Sequence, residues 1–213
     1  MRIGIICAMQ SELDLVTAAD FGNRNEVKCV LSGMGKVNAA VAATRLVYEF
    51  KPDCIINAGV AGSLRSDIRE GSVVIGAKTA YHDVWCGGEI PLGTVSGYPR
   101  FFAANPVLLE AAEGCATDLH SGLIITGDQF YIDEREDRRQ KLLYPDALAV
   151  DMESAAIAHA CYLMEVPFLS FRIISDSHDD GQQLKNYTEF WKSMAERSFS
   201  VIDSLMRSLP SNI

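Results

Sequence analysis

The chain has 213 residues, 48% of them apolar and 22% charged, with a net charge of −9 and an isoelectric point near 4.9. That length suffices for one well-buried core and the composition is that of an ordinary globular protein, so one domain over residues 1–213 is expected. The acidic balance, with no basic stripe to offset it, argues against nucleic acid and against anionic membrane as partners.

The first run, Arg2–Cys7, reads as a strand and gives way to Gln10, Ser11 and Glu12. Its start imitates a secretory leader, but a real apolar segment needs about 7–15 residues and this one is cut short. No stretch approaches the roughly 20 apolar residues of a membrane span, so a cytoplasmic protein is expected. Lys28–Ser32 is the second strand. Gly33-Met34-Gly35-Lys36 then turns into a helix over Lys36–Phe50, with Val37, Ala40, Val41, Thr44, Val47 and Phe50 on one stripe. Two glycines in such a turn serve packing more often than they bring amides to a ligand.

Cys54–Ala58 reads as a buried strand. The small residues Gly59-Val60-Ala61-Gly62-Ser63 after it leave room for a flat or sugar-like ligand against bare backbone. Ser72–Lys78 is the next strand. His82–Phe101 is irregular and rich in Gly, Pro and aromatics, which is the mark of a lid or a subunit contact. Gly122–Thr126 and Ala147–Asp151 follow, the latter stopping in Asp151-Met152-Glu153 ahead of an Ala-rich helix over Glu153–Met164. Pro167–Ile174 is the last strand and stops in Ser175-Asp176-Ser177. Tyr187–Leu209 closes the chain as a helix with Phe190, Met194, Phe199, Ile202, Leu205 and Met206 inward.

Near-continuous β-branched runs between helical patterns define an α/β protein with a largely parallel or mixed sheet. Such sheets bind ligands outside the carboxyl ends of their strands, where Glu12, the Asp151/Glu153 pair and Asp176 all fall. Each acid has an ordinary alternative. Glu12 fits the surface of a first helical turn, Asp151 and Glu153 fit helix caps, and Ser175-Asp176 fits a turn. Three such coincidences favour acid–base chemistry on a small polar molecule. The six cysteines are spread singly, and His82, His120, His159 and His178 have no ligand-type partner at helical spacing. Reduced core thiols and no metal site are therefore expected.

Seven motifs occur in a telling order: Ile3-Gly4-Ile5-Ile6-Cys7-Ala8-Met9 with Glu12, Ser32-Gly33-Met34-Gly35-Lys36-Val37, Gly59-Val60-Ala61-Gly62, Tyr81-His82-Asp83, Gly127-Asp128-Gln129-Phe130, Asp151-Met152-Glu153 and Arg172-Ile173-Ile174-Ser175-Asp176. Over nearly the whole chain this resembles the 5′-methylthioadenosine/S-adenosylhomocysteine nucleosidases of the purine nucleoside phosphorylase superfamily. The resemblance implies a three-layer α/β/α fold with a central mixed, twisted sheet, no metal or organic cofactor, and a homodimer acting on an adenine nucleoside. It implies that Asp176 protonates the purine, that Glu12 activates water, that Glu153 grips the ribose hydroxyls and that Arg172 lies near the carboxylates. It places Met9, Met34, Val60, Ala61, Gly62, Phe130, Tyr131, Asp151, Met152 and Ser175 around the substrate and has the neighbouring chain help close the 5′ pocket; the aromatic Trp85–Phe102 loop is the candidate for that contact, with Trp85, Tyr98, Phe101 and Phe102 as anchors.

Within that superfamily, phosphorolysis goes with arginine in the N-terminal loop, whereas Ala8-Met9-Gln10-Ser11-Glu12 has none and carries a carboxylate, so water is the expected nucleophile. The rival readings are a futalosine-type hydrolase, a purine nucleoside phosphorylase and, from another class, a nucleoside sensor without turnover. Three departures stand out: Val60 replaces a serine of the family pattern, Ser96 replaces a proline, and residues 14–28 are shorter than the corresponding family region.

Overall fold

The computed structural model describes residues 1–21, 24–115, 118–130, 134–177, 183–193, 195, 199–210 and 212–213. The elements in chain order are β1 (Arg2–Cys7), α1 (Gln10–Thr17), β2 (Glu26–Leu31), α2 (Lys36–Phe50), β3 (Cys54–Ser63), β4 (Val73–Tyr81), β5 (Phe102–Ala103), α3 (Pro106–Glu113), β6 (Leu119–Thr126), α4 (Glu134–Leu143), β7 (Ala147–Asp151), α5 (Ser154–Leu163), β8 (Phe168–Ser177), α6 (Gln183–Ser193) and α7 (Val201–Ser208).

All eight strands belong to one mixed sheet. β2, β1 and β3 run parallel, and β8 continues parallel to β3 along its whole length. β8 then pairs antiparallel with β4, β4 and β6 pair parallel, and β6 and β7 pair parallel. The end of β7 returns to the end of β3 in a short antiparallel pairing, Gly62 opposite Val150 and Ser63 opposite Ala149. Strands β3, β8, β4, β6 and β7 thus close into a ring filled by Ala61, Val74, Ile124, Ala149 and Ile174. A closed ring leaves these strands no free edge and fixes the ends of β3, β7 and β8 against one another.

Neighbouring residues go to opposite layers. Ile5, Ile56 and Phe171 meet α6 and α7 on one face, while Ile6, Ile55 and Phe168 meet α2 and α5 on the other. Period-two alternation between two buried faces is why these strands read as continuous apolar runs.

Three sequence expectations change. β3 continues through the glycine-rich stretch to Ser63 and β8 runs through Asp176, because pairing in the ring outweighs the low strand preference of Gly, Ser and Asp. Helix α2 has the expected bounds but buries Ala39, Ala43, Leu46 and Phe50, leaving Val37 and Val41 exposed. Alanines let α2 approach the equally small Ala155, Ala156 and Ala158 of α5, so the small face packs and the valine face does not. The closing helix begins earlier than expected and is interrupted, with Ser200 in a turn between α6 and α7. Its inner residues Phe190, Phe199, Ile202, Leu205 and Met206 are buried, and Met194 lies outside the described residues. No described helix is long and apolar enough to cross a membrane.

Phe171, fully buried at the middle of β8, reports on this central packing. Phe171→Ala is expected to lower unfolding stability by about 3–5 kcal/mol, seen as a lower urea midpoint with the slope unchanged.

Candidate active site

Gly62 marks where the site assembles. It faces Val150 of β7 on one side and Asp176 of β8 on the other. The β3–β8 register shifts by one residue between Ala61 and Gly62, so Ser175 is an extra residue and the bulge re-aims Asp176. The Ser175 hydroxyl donates to Asp176 Oδ1 at 2.6 Å.

Glu12 arrives from the first turn of α1. Its Oε2 accepts the amides of Ala8 and Met9, both at 2.9 Å, the second being half of a capping box. Its Oε1 accepts the Val60 amide at 2.9 Å. The helix-cap reading and the site reading of Glu12 therefore describe one and the same geometry. Burial pushes its pKa above the usual carboxylate range, although Arg172 and the three amides pull the other way.

At the β7–α5 junction the two acids divide the work. Asp151 caps α5, accepting the amides of Ser154 at 3.1 Å and Glu153 at 3.3 Å, and takes the Thr126 hydroxyl at 2.6 Å. Glu153 turns away, and its Oε1 accepts the Gly35 amide of the β2–α2 turn at 2.9 Å. Burial first, and the Asp151 charge second among the upward influences, push its pKa to about 7 against the pull of Arg172 and the Gly35 amide.

Arg172 lies beneath all of this, wholly buried in β8. It pairs with Asp151 at 2.8 Å and with Glu153 at 3.5 Å, and donates to Asn57 Oδ1 and to the Ser154 hydroxyl. Burial works to lower its pKa, but Asp151, Glu153 and Glu12 together hold it above the ordinary arginine value, so it stays charged.

Met9, Glu12, Met34, Val60, Ala61, Gly62, Phe130, Asp151, Met152, Glu153, Ser175 and Asp176 line one open pocket. Arg172 is not on its wall, and Tyr131 lies outside the described residues. Gln129, present in a quoted motif without an assigned role, also lines the pocket, as do Gln183 and Tyr187, which escaped the sequence reading. Gln183 Nε2 donates to the Phe130 carbonyl at 2.7 Å, and the Tyr187 hydroxyl donates to Met9 Sδ at 3.2 Å. Tyr187 was legible only as the start of an amphipathic helix. The small stretch in β3 works differently from expectation: the space over Gly59 is filled by the protein itself, since a Cβ there would lie 2.4 Å from Arg172 Nη1 and 2.6 Å from Glu12 Oε1. Among the described residues no cluster of three His, Cys, Asp or Glu could hold a metal ion.

A mixed sheet partly closed into a ring thus gathers carboxyls where β3, β7 and β8 end. The sequence profile of the Phosphorylase superfamily matches residues 2–207. An S-adenosylhomocysteine nucleosidase from Streptococcus pyogenes, in complex with 5-methylthiotubericidin, is 32% identical, with 99% of this chain and 98% of that chain covered and a TM-score of 0.90. A 5′-methylthioadenosine/S-adenosylhomocysteine nucleosidase from Neisseria meningitidis, in complex with methylthio-immucillin-A, is 33% identical over 98% and 99% of the two chains, with a TM-score of 0.89. A futalosine hydrolase of Helicobacter pylori is 25% identical over 98% and 97%, with a TM-score of 0.86. The chain belongs to the phosphorylase superfamily and, within it, to the 5′-methylthioadenosine/S-adenosylhomocysteine nucleosidases, and it is an N-glycosyl hydrolase.

Gly59→Ala tests the contact between β3 and the charged groups. The added methyl must displace Glu12 or Arg172, and kcat/KM for glycosidic cleavage is expected to fall roughly 100-fold while the circular dichroism spectrum is kept.

Proposed function

We propose that the protein hydrolyses the N-glycosidic bond of 5′-methylthioadenosine, S-adenosylhomocysteine or both, releasing adenine and the 5′-thioribose. The observation that carries this reading is the meeting of Glu12, Glu153 and Asp176, from three distant parts of the chain, on one pocket. In the proposed reaction Glu12 takes a proton from water as its oxygen bonds to the anomeric carbon. The bond to the purine breaks with its electron pair leaving on adenine, and Asp176 delivers a proton to nitrogen 7. Glu153 holds the ribose hydroxyls, and its negative charge favours the cationic sugar of the transition state. Phe130 stacks on the purine, and Met9, Met34 and Met152 contact the sugar and its thioether.

Water rather than phosphate fits the charge of the site. The acids at the pocket repel an incoming dianion, and Arg172, already committed to Asp151, Glu153, Asn57 and Ser154, is not on the wall to receive one. The family serine replaced by Val60 matters less than its position suggests, because Glu12 is held by the Val60 backbone amide. The similarity to a futalosine hydrolase keeps a second reading, cleavage of a futalosine-type nucleoside, within the same chemistry.

The protein acts as one domain without metal or organic cofactor, and as a homodimer. Met34 lines the pocket and is 59% exposed, so a neighbour can close the mouth, and Trp85, Tyr98 and Phe101 are exposed on the loop expected to do so. Phe102 is not available for that contact, being buried and stacked on His159. Sedimentation as a monomer at micromolar concentration would count against the dimer.

The free purine base is measured by liquid chromatography from methylthioadenosine, S-adenosylhomocysteine and futalosine, with and without phosphate. Adenine from the first two, independent of phosphate, is expected; release only from futalosine selects the second reading. Asp176→Asn is expected to lower turnover by roughly 100-fold or more with the fold intact, and an unchanged rate removes Asp176 from the reaction. For pH the sign follows from Glu153: it serves ionised, so kcat/KM falls as pH drops through its pKa of about 7. A flat profile from pH 8 to 5.5 contradicts that role.

A further inference from the structure

The β2–α2 turn carries the amide that donates to Glu153; locally the Ser32 hydroxyl donates to the Gly33 carbonyl at 2.8 Å and Asn38 Nδ2 to the Met34 carbonyl at 2.7 Å. Gly33 and Gly35 have φ of 84° and 92°, and no side chain caps α2 from its own N-cap position. The link from the turn to the pocket wall comes from elsewhere. Asp128 Oδ1, from the segment after β6, accepts the Lys36 amide at 2.8 Å and so caps α2 from another part of the chain. A Cβ on Gly35 would lie 3.0 Å from that oxygen, so the approach depends on a bare glycine. Asp83, just past β4, accepts the Asp128 amide at 2.9 Å. Lys36 Nζ donates to both oxygens of Asp83 at 2.7 Å and lies 3.7 Å from Asp128 Oδ2.

One ammonium thus joins carboxylates from two strand ends, while its own backbone amide binds one of them. The Lys36 and Asp83 side chains are 21% and 18% exposed, which sets the pair apart from a fully solvated surface bridge. None of these three residues lines the pocket, but each segment they join does: Met34 on the turn, Gln129 and Phe130 after Asp128.

We propose that Lys36 is a positioning residue for the nucleosidase reaction, locking the β2–α2 turn and the 127–130 segment into one wall that fixes Glu153 through the Gly35 amide and fixes Phe130 through Asp128. The choice of substrate rests on the reading above; the clamp itself rests on its own contacts. Glu153 faces Arg172 from β8, Asp151 from β7, Glu12 from α1 and the Gly35 amide from the turn. Only the last depends on Lys36. Losing that N–H removes a hydrogen bond to the ionised carboxylate and raises the pH at which it ionises.

The test compares Lys36→Met, Lys36→Arg and, as a control on the exposed side of the same helix, Arg45→Met in the full chain. For Lys36→Met, kcat/KM is expected to fall roughly 10- to 100-fold and its acid limb to move to higher pH. Lys36→Arg restores most of the activity and the wild-type limb, and Arg45→Met leaves both unchanged. A Lys36→Met enzyme that melts earlier but keeps the wild-type limb overturns the proposal, since it shows a purely structural ion pair. If Lys36→Met does not fold, Asp83→Asn serves instead, with the same shift expected and the same unchanged limb decisive. Should the wild-type enzyme cleave none of the nucleosides, the substrate reading fails alone. The carbon-13 titration of the Glu153 carboxyl, which needs no substrate, then decides the clamp by whether it moves upward in Lys36→Met.

Discussion

A guanidinium with no access to water, set among more carboxylates than it can neutralise, governs this structure. Taking Arg172 out of water costs several kcal/mol, which only close and well-directed partners offset. Asp151 at 2.8 Å supplies the main one, and Asn57, Ser154 and Glu153 satisfy further donors. With Glu12 also nearby, one positive charge faces three acids in a dry place. Burial raises the proton affinity of Glu12, and burial together with the Asp151 and Glu12 charges raises that of Glu153 to about 7. A carboxylate whose proton affinity is raised above that of a free one is the better base towards water, the role proposed for Glu12.

The fold brings this about by closing part of the sheet. β7 runs against β3 and β8, yet its last residues meet theirs across Gly62 because the ring returns β7 to the end of β3. Much of the site is then backbone: amides of Ala8, Met9, Val60 and Gly35 hold the two glutamates. Amide donors leave the side chain at their own position free to vary, which is how Val60 can stand where the family pattern has a hydroxyl. Gly59 has no such freedom, since the atoms it lacks would occupy the space of Glu12 and Arg172.

How far the sequence reveals this depends on which force decides each feature. Strands buried on two faces leave continuous apolar runs, so β1, β7 and the body of β8 were legible, as was the Lys36–Phe50 helix from its flanking Gly and Pro. The buried face of α2 was not, because tight contact between alanines outweighed the greater hydrophobicity of Val37 and Val41. The glycine-rich end of β3 looked like a loop for a related reason: pairing on both sides, invisible locally, keeps it extended. At the site, acids following apolar runs signalled Glu12, Glu153 and Asp176. Their ordinary reading as caps was half right, Asp151 being both a cap and the counter-ion of Arg172. Gln183 and Tyr187 gave no sign, since nothing in a helical pattern tells which turn meets a pocket.

The central claim is that burial and crowding leave a carboxyl of this cluster titrating near neutral pH in the resting enzyme. A carbon-13 NMR titration of the glutamate carboxyls in the ligand-free protein, with Glu153→Gln for assignment, measures this directly. The account predicts a resonance with a midpoint near pH 7 that disappears in Glu153→Gln. A Glu153 carboxyl that stays ionised from pH 8 down to the ordinary glutamate range would contradict it.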